Sequence, residues 1–440
     1  MKRFCVCLLA LLMLLAPFAC ASVSVRMDEN ACLLTENGGE LVALGTYSDI
    51  APLGCGLFAA RTDAGYALMS DGGALLTEPC YEALRCMGGV LLAKRDGRCG
   101  VLSRKGEPLS EFDYTRAVFD SAGNGWAITG NPNDSRSDRL LLLSPDGTAQ
   151  ETDLYVLWMD TRASDGLIAV QLAESGLYGY CGADGRMAIQ ARFDSASAFS
   201  AGRAVVSLNG RCGVVDAQSA LIVPARYDFA QVSEAGIAVV WRAGEARALR
   251  ADGSEIARFE GATISIALLG SGFVVADDVS CRAYDGEGQE IASASAQASF
   301  QEGLMGQLIV ADGAWGEECV YIAGTQAQYQ NLYPLGETSR GAVYAFMKAN
   351  AARYTNDILN ETQLSTDMES ARYGVAGADG EELLPAQYLS VAYLGNDRLL
   401  ARTQDAWLML DISGKIYWRL STEAQGAVKP QKALANEEIS

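Results

Sequence analysis

The chain has 440 residues but no histidine, and only ten of its residues are proline. The absence of histidine excludes Ser-His-Asp and Cys-His catalytic arrangements, histidine acid–base chemistry and every histidine-containing zinc site. Positive charge is also scarce, since 34 lysines and arginines face 54 aspartates and glutamates and the net charge is −20. Because binding a phosphate backbone needs clustered cations, we predict no nucleic-acid partner.

Recognisable catalytic motifs are missing as well. The sequence has no G-x-S-x-G elbow, no P-loop, no dinucleotide-binding glycine motif and no C-x-x-C pair. We therefore predict no catalytic residue, no cofactor and no metal site. Asp134 and Asp138 fall in an extra loop, 131–138, which we interpret as a solvated hairpin tip rather than a calcium site.

The N-terminus carries the features of a secretory signal. Lys2 and Arg3 precede an apolar run over 4–19, and Ala19-Cys20-Ala21 supplies a small-residue site with cleavage expected before Ser22. Two alternatives remain, namely a retained signal anchor and lipidation at Cys20. We predict an exported protein, secreted or associated with the cell envelope, that meets a membrane only through this segment if it is retained.

Small turn residues recur at a nearly fixed interval along the rest of the chain. Five of the ten steps between them are 34 residues long, which indicates a repeat architecture. The turn residues are Gly38, Gly72, Gly106, Gly147, Gly185, Ser219, Gly253, Gly288, Gly324, Gly380 and Gly414. We predict a signal over 1–21, about eleven repeat units over 22–420, which form one array or two sub-arrays, and a polar tail over 421–440.

Two further sets of residues recur at a fixed distance from the turn residue, and we call each set a repeat column. Eight residues after the turn stand Tyr114, Tyr155, Phe193, Tyr227 and Tyr388, and seven residues before it stand Cys99, Tyr178, Cys212, Cys281, Tyr373 and Trp407. An apolar residue at a fixed position of every unit is expected to form the core between units, so we predict packing rather than sugar stacking for both columns.

Each unit has the pattern of three or four short β-strands. In one of the clearest, the β-prone segment 203–208 ends at Asn209-Gly210, a tight-hairpin signal. Long amphipathic helical patterns are nearly absent, so the predicted class is all-β, with tandem β-meander repeats of about 34 residues. We favour a propeller-like arrangement in one or two rings, because closure hides sheet edges; a β-solenoid is the alternative.

The repeat resembles the bacterial WG-repeat family in degenerate form. The resemblance rests on an aromatic-Gly pair, a D-x-x-G turn, an aliphatic-Pro stretch and Tyr-Asp, as in 176–185, 210–228 and 373–388. The Trp-Gly pair itself occurs only at Trp315-Gly316. Membership of this family implies a β-repeat scaffold that is often exported, and it implies no catalytic residues.

The cysteines pose a separate question, because the chain is expected to enter an oxidising compartment. Cys99, Cys212 and Cys281 belong to a repeat column and are interpreted as core filler. Cys80 and Cys86 flank one strand and turn, and pairing with each other or with Cys55 stays open. The disulfide state of Cys32, Cys181 and Cys319 is likewise not fixed by the sequence.

One step is much longer than the others and marks an insertion at 348–371. A long insertion on a rigid scaffold is a common place for specific binding, and this one has room for one short helix. Its candidate partner-facing residues are Tyr354, Asp357, Ile358, Leu359 and Glu361.

These observations support one main functional hypothesis and two alternatives. We expect a non-enzymatic exported scaffold that presents loops to a protein or glycan at the cell surface. The alternatives are a carboxylate-dependent, glycan-active enzyme on a propeller scaffold and a purely structural envelope protein.

Overall fold

The computed structural model describes residues 22–27, 30–54, 56–131, 134–313, 319–356 and 361–422. The predicted signal, the Trp-Gly pair at 315–316 and nearly all of the predicted tail lie outside these ranges. The described residues form ten antiparallel sheets whose strands follow one another in chain order. No helix among them is long and apolar enough to cross a membrane.

The repeat unit is a meander of up to four strands, which we label A to D in chain order. The sixth unit shows it fully, with A, B, C and D pairing in sequence within one sheet. Units six to eight have the following strands: β17 Ser195–Ala196, β18 Arg203–Leu208, β19 Arg211–Asp216 and β20 Leu221–Tyr227; β21 Phe229–Val232, β22 Ala238–Arg242, β23 Glu245–Leu249 and β24 Glu255–Glu260; β25 Ser265–Leu269, β26 Gly272–Ala276, β27 Ser280–Tyr284 and β28 Glu290–Ser295.

The first three units have three named strands each. In unit one these are B, C and D, and in units two and three they are A, B and C, with D reduced to isolated bridges such as Met69 with Leu75. Their strands are β1 Ser22–Met27, β2 Asn30–Thr35 and β3 Glu40–Tyr47; β4 Asp49–Gly54, β5 Leu57–Thr62 and β6 Gly65–Ser70; β7 Ala83–Met87, β8 Val90–Arg95 and β9 Arg98–Leu102.

Units four and five share one strand and form a seven-stranded sheet. The shared strand is 16 residues long, and its first part is strand D of unit four while its last part is strand A of unit five. The strands are β10 Arg116–Phe119, β11 Gly125–Asn131, β12 Asp134–Leu143, β13 Ala149–Ser164, β14 Leu167–Leu172, β15 Tyr178–Gly182 and β16 Met187–Phe193.

The last three units complete the array. Unit nine contains one short 3-10 helix, Leu304–Gly306, between its first two strands. The strands are β29 Ser299–Glu302, β30 Leu308–Asp312 and β31 Cys319–Ile322; β32 Asn331–Thr338, β33 Gly341–Asn356, β34 Glu361–Gly377 and β35 Glu382–Tyr388; β36 Ser390–Gly395, β37 Arg398–Arg402, β38 Ala406–Leu410 and β39 Ile416–Ser421.

The repeated turn lies between strands C and D and has a fixed geometry. In unit three the Gly106 N–H donates to the Ser103 carbonyl at 3.0 Å, and the Ser103 N–H donates to the Glu107 carbonyl at 2.8 Å. At all eleven turns one residue has φ between 71° and 86°, which favours glycine. In unit two that residue is Gly73 rather than the predicted Gly72, because the left-handed position comes last in the turn.

Neighbouring units pack face to face, and the last unit packs on the first. Valine, leucine and aromatic side chains from units one and eleven share one core cluster: Val23, Val25, Cys32, Leu34, Leu400, Trp407 and Met409. A Cβ on Gly38, the turn of unit one, would lie 2.2 Å from the Tyr417 carbonyl oxygen of unit eleven. The array is therefore a closed, propeller-like ring, and the alternative of an open solenoid is wrong.

The expectation of a short helix in the insertion is also wrong. The insertion extends strands B and C of unit ten. Strand β33 pairs with β34 in antiparallel register from Val343 with Gly377 to Asn356 with Glu361, and one bulge between Lys348 and Asn350 shifts this register. Because each added residue pair completes further ladder hydrogen bonds, lengthening an existing hairpin satisfies the backbone without a new element.

Candidate binding surfaces

Strand alternation divides the ring into two faces. Because neighbouring strands are antiparallel, the A–B and C–D connections lie at one face, which we call the turn face. The B–C tips and the D–A links lie at the other, which we call the tip face. Strand A is the innermost strand, since ends of strand A from units three to nine line one common cavity.

The two predicted repeat columns are cross-strand partners. Cys99 lies opposite Tyr114, and the same relation holds between strands C and D of other units. The equivalent pairs are Tyr178 with Phe193, Cys212 with Tyr227 and Tyr373 with Tyr388. The side chains of Tyr114, Phe193, Tyr227 and Tyr388 are all buried between units.

Tyr155 departs from its column, and its assignment to the core was wrong. Its side chain is 48% exposed, whereas the adjacent Val156 is fully buried. Successive side chains of a strand point to opposite faces, and in β13 the core side is taken by Val156. Tyr155 instead lies beside Arg139, whose guanidinium carbon is 5.8 Å from the ring centroid.

The second column is less uniformly buried than its partner. Cys281 and Trp407 are buried, whereas the other four members are half-buried: Cys99, Tyr178, Cys212 and Tyr373. Burial raises the pKa of the thiols of Cys99 and Cys281, which disfavours the reactive thiolate. This column therefore contributes packing surface between units.

The cysteines form no disulfide within the described part of the chain. Burial raises the pKa of both Cys32 and Cys181 to about 12, with smaller contributions from Glu40 and Asp184 respectively. Cys55 lies outside the described residues. No group of cysteine, aspartate and glutamate side chains suited to a metal ion is present among the described residues.

The long hairpin of unit ten is the most prominent feature of the tip face. Six residue pairs, from Val343 to Lys348, match the six pairs of the regular hairpin β18–β19. Seven further pairs follow, from Asn350 with Asp367 to Asn356 with Glu361. At about 3.3 Å per residue they extend the hairpin by roughly 20 Å.

The predicted partner-facing residues fall at the far end of this hairpin. Tyr354 is paired with Gln363, and Glu361 is paired with Asn356. The predicted residues Asp357, Ile358 and Leu359 lie outside the described residues. The register therefore places Tyr354 and Glu361 near the tip of the extension.

An arginine-lined cleft of about 320 Å³ lies between units six and seven on the tip face. Its walls include Arg226, at the end of strand D of unit six, and Arg242, at the end of strand B of unit seven. Arg226 donates to the Tyr227 hydroxyl at 3.2 Å, and Arg242 makes no hydrogen bond or ion pair with any described residue. Neither guanidinium forms an ion pair with a described carboxylate, although Arg226 helps to lower the pKa of the Glu245 carboxyl in the same cleft. The two guanidinium groups therefore favour a further anionic group here.

The third arginine of this cleft is already neutralised. Arg247 pairs with Glu245 and, at 3.1 Å, with Glu255, and hydrogen bonding to Arg247 lowers the pKa of the Glu245 carboxyl. This cleft could not be predicted from the sequence, since its three arginines come from separate strands and form no motif. The only sequence signal is arginine next to the aromatic column at 192 and 226.

The central cavity opens at the opposite, turn face. Its volume is about 1080 Å³, and its wall combines apolar side chains such as Met87, Phe119 and Phe199 with five serines: Ser164, Ser197, Ser200, Ser233 and Ser271. Three charged residues also line it: Arg162, Glu234 and Glu302. A Cβ on Gly270 would lie 2.2 Å from Glu302 Oε1, so the Glu302 carboxylate of unit nine lies directly against the end of strand A of unit eight. This cavity could not be predicted from the sequence, because its lining residues lie in seven different units.

Acidic turn residues elsewhere have structural roles. Asp194, next to Phe193, accepts a hydrogen bond from the Gly210 N–H at 3.1 Å and fixes the tip of the next hairpin. Asp285 accepts from the N–H groups of Glu287 and Gln289, both at 2.9 Å. The predicted solvated tip at 131–138 is wrong for Asp138, which lies in β12 and is buried; the side chains of 131–137 are outside the description.

The fold defines a class of protein: a propeller-like ring of antiparallel β-repeat units, here with an arginine-lined cleft on one face and a cavity that opens on the other. Residues 178–212 match the family model of the WG containing repeat. The matched stretch runs from β15 to β19 and is one repeat long, so the predicted WG-repeat resemblance is confirmed there. A comparison with curated protein sequences gives no match.

Several solved structures are similar at low sequence identity. A eukaryotic initiation factor matches with 10% identity and a TM-score of 0.43, over 83% of this chain and 96% of that chain. Hsv2 from Kluyveromyces lactis matches with 9% identity and a TM-score of 0.30, over 67% and 98%. BamB from Moraxella catarrhalis matches with 12% identity and a TM-score of 0.30, over 66% and 93%. None of these likenesses bears on function.

Proposed function

We propose that this chain is an exported, non-enzymatic scaffold whose tip face binds a protein or glycan partner at the cell surface. The observation that carries the proposal is the hairpin of unit ten, which adds seven residue pairs to an otherwise regular unit. Binding residues are found disproportionately on loops that a rigid scaffold positions, and this hairpin is such an extension. The signal at the N-terminus supports export.

The arginine-lined cleft lies on the same face and supports an anionic contact. Arg226 and Arg242 stand in a chain with twenty more acids than bases, so a local pair without carboxylate partners is unusual. A carboxylate or sulfate on the partner would fit two guanidinium groups, because their planar donor sets match such oxyanions.

The test compares the whole chain with a variant whose residues 349–371 are replaced by Asn-Gly, the tip of the regular hairpin. We expect saturable binding on a glycan array or to envelope proteins for the unaltered chain and at least a tenfold loss for the variant. Because six regular residue pairs remain, the melting temperature should change little. Equal binding by both chains would contradict a role for the hairpin and favour a purely structural protein.

The cavity gives the enzymatic alternative one specific feature, since Glu234 and Glu302 both line it. Glycoside hydrolysis uses two carboxylates on either side of the scissile bond. Hydrolysis of a glycan panel that is lost in both Glu234→Gln and Glu302→Gln would replace the binding proposal with this one. Variants Glu287→Gln and Glu290→Gln, at exposed positions in and just after the C–D turn of unit eight, are the matched controls.

A further inference from the structure

The central cavity carries charges that no described part of the chain neutralises. Arg162 lies near the end of strand A of unit five, Glu234 in the A–B connection of unit seven and Glu302 at the end of strand A of unit nine. None of these three side chains forms a hydrogen bond or an ion pair with a described residue. Because the two carboxylates are two and four units away from Arg162, the cavity has a positive side and a negative side.

An apolar wall adjoins the positive side. Met87 and Phe119 come from strands A of units three and four, which directly precede the unit of Arg162, and Phe199 comes from unit six, which follows it. An apolar side chain gains stability when these groups remove it from water. A ligand with an apolar group next to its own negative charge would therefore use both features of this side.

Unit six widens the cavity, because its strand A is short. Strand β17 has two residues, whereas the equivalent strand of unit seven, β21, has four. The Ser197 hydroxyl then accepts a hydrogen bond from the Val205 N–H at 3.0 Å, so a side chain takes over from the backbone of strand A. The chain leaves the sheet at this point, and Val205 of strand B lines the cavity.

The connection that follows offers two backbone donors. Phe199 is buried, and its ring packs edge-on against Tyr180 with 4.7 Å between the ring centroids, which holds the connection in place. The N–H groups of Ala198 and Phe199 donate to no described residue, and both residues line the cavity. A backbone N–H without a protein partner is satisfied by water or by a ligand.

We propose that the central cavity binds a short peptide with charged ends and an apolar C-terminal side chain. The terminal carboxylate pairs with Arg162, since a guanidinium group binds a carboxylate through two parallel donors. The apolar side chain packs against Met87 and Phe119, and the terminal ammonium lies near Glu234 and Glu302. Peptide carbonyls accept from the serines and from the backbone donors of unit six.

The size of the cavity agrees with such a ligand. Its volume of about 1080 Å³ is at the upper end of the roughly 300–1,000 Å³ that is usual for ligand pockets. A neutral glycan is the competing occupant, because it would use the serines and leave the three charges without partners. The site lies on the face opposite the long hairpin, so the proposal does not depend on the function proposed for the tip face.

The experiment measures binding to the whole chain by isothermal titration calorimetry. The probes are alanine peptides of two to five residues that end in leucine, each with free ends, with an acetylated N-terminus or with an amidated C-terminus. We expect saturable binding of at least one length with free ends, and at least tenfold weaker binding after either modification. Absence of peptide binding, with or without binding of maltotetraose, would overturn the proposal, as would equal affinity for the three forms.

Variants assign the two ends of the peptide. Arg162→Gln should remove the preference for the carboxylate over the amide and retain the preference for the ammonium over the acetylated form. Glu234→Gln combined with Glu302→Gln should do the converse. Arg186→Gln and Glu290→Gln, at exposed positions in or beside C–D turns, are the matched controls and should retain both preferences. Retention of both preferences in the cavity variants would contradict the proposed contacts.

The chain whose residues 349–371 are replaced by Asn-Gly provides the last comparison. It should bind the peptide as tightly as the unaltered chain, because its alteration is confined to the tip face. Loss of peptide binding in this chain would move the site to the tip face and overturn the proposal for the cavity.

Discussion

The interface between units eleven and one repeats the contacts between units six and seven, but no chain connection joins its two sides. In the internal interface Arg203 Nε donates to the Ala251 carbonyl, and in the closing interface Arg398 Nε donates to the Glu36 carbonyl at 2.9 Å. Both arginines stand sixteen residues before the turn of their own unit. The two interfaces therefore share the same arginine–carbonyl hydrogen bond. Only the closing interface can open without unfolding a unit.

The closing interface also has contacts of its own. Asn396 Nδ2 donates to Glu36 Oε1 at 2.7 Å across the interface. Within unit eleven, the Tyr417 ring lies 3.8 Å from the Arg398 guanidinium carbon and helps to position this arginine against unit one. A covalent link raises the effective concentration of neighbouring surfaces, so an interface without one needs more contact energy to stay closed. Ring closure therefore depends on non-covalent contacts between units eleven and one, made by side chains and by the backbone around Glu36 and Gly38.

The largest expected effect comes from the aromatic side chains of the two interfaces. Trp407→Ala removes a buried indole from the closing cluster, and Tyr227→Ala removes a buried ring from the internal one. Each should lower the free energy of unfolding by about 3–5 kcal/mol, measured by urea denaturation. Only Trp407→Ala should enlarge the radius of gyration in X-ray scattering; equal expansion in both would contradict non-covalent closure.

A smaller effect is expected from the turn glycines. Gly38 and Gly253 both have positive φ, 84° and 83°, and a Cβ at either would meet a carbonyl of the preceding unit, at 2.2 and 2.7 Å. Alanine at each should cost about 1–3 kcal/mol of stability. With Gly38→Ala the strain should open the ring, so Cys32 should react faster with a thiol reagent than it does with Gly253→Ala. No difference in rate would count against closure through Gly38.

The third effect, which is small over a single pH unit, concerns pH and the buried thiol of the closing cluster. The pKa of Cys32 is about 12 in the folded chain against an ordinary 9.0, because burial favours the neutral thiol. Below pH 9 both states hold this proton, so the group does not alter stability. Between pH 9 and 12 only the unfolded chain releases it, and stability should fall by about 1.4 kcal/mol per pH unit.

This dependence is measured as the difference between the unaltered chain and Cys32→Ala at pH 8, 9, 10 and 11. The difference isolates Cys32 from the other groups that titrate in this range. The matched variant Cys181→Ala, whose thiol also has a pKa of about 12, should give a similar slope for an internal interface. A constant difference from pH 8 to 11 would show that the Cys32 thiol is not protected.

Much of the fold was predictable because it is local and repeated. The turn residues, the hairpin at Asn209-Gly210 and the two columns depend on short-range chain geometry, which one unit after another repeats. The exposure of Tyr155 was not predicted, because β13 runs through two units. The strands that pair with β13 decide which of its side chains face the core. The insertion was located but its helix was wrong, because two flanking strands already paired in register favour a longer hairpin.

The binding surfaces were much less predictable than the fold. Arg226 and Arg242 come from different units and meet only where strand D of one unit ends beside the B–C tip of the next. Glu234 and Glu302 face a common cavity because strand A is innermost in every unit that lines it. The spacing of residues in the sequence does not predict such contacts between units, since they depend on how the units are rotated about the ring.

The sequence by itself determined the all-β class, the repeat length, the position of the insertion and the absence of histidine chemistry. These properties follow from composition and from contacts within about 34 residues. Only the tertiary structure decided that the eleventh unit packs on the first and that the hairpin and the arginine-lined cleft share a face. The physical reason is that closure and surface composition depend on small angular offsets between units, which accumulate over the whole chain.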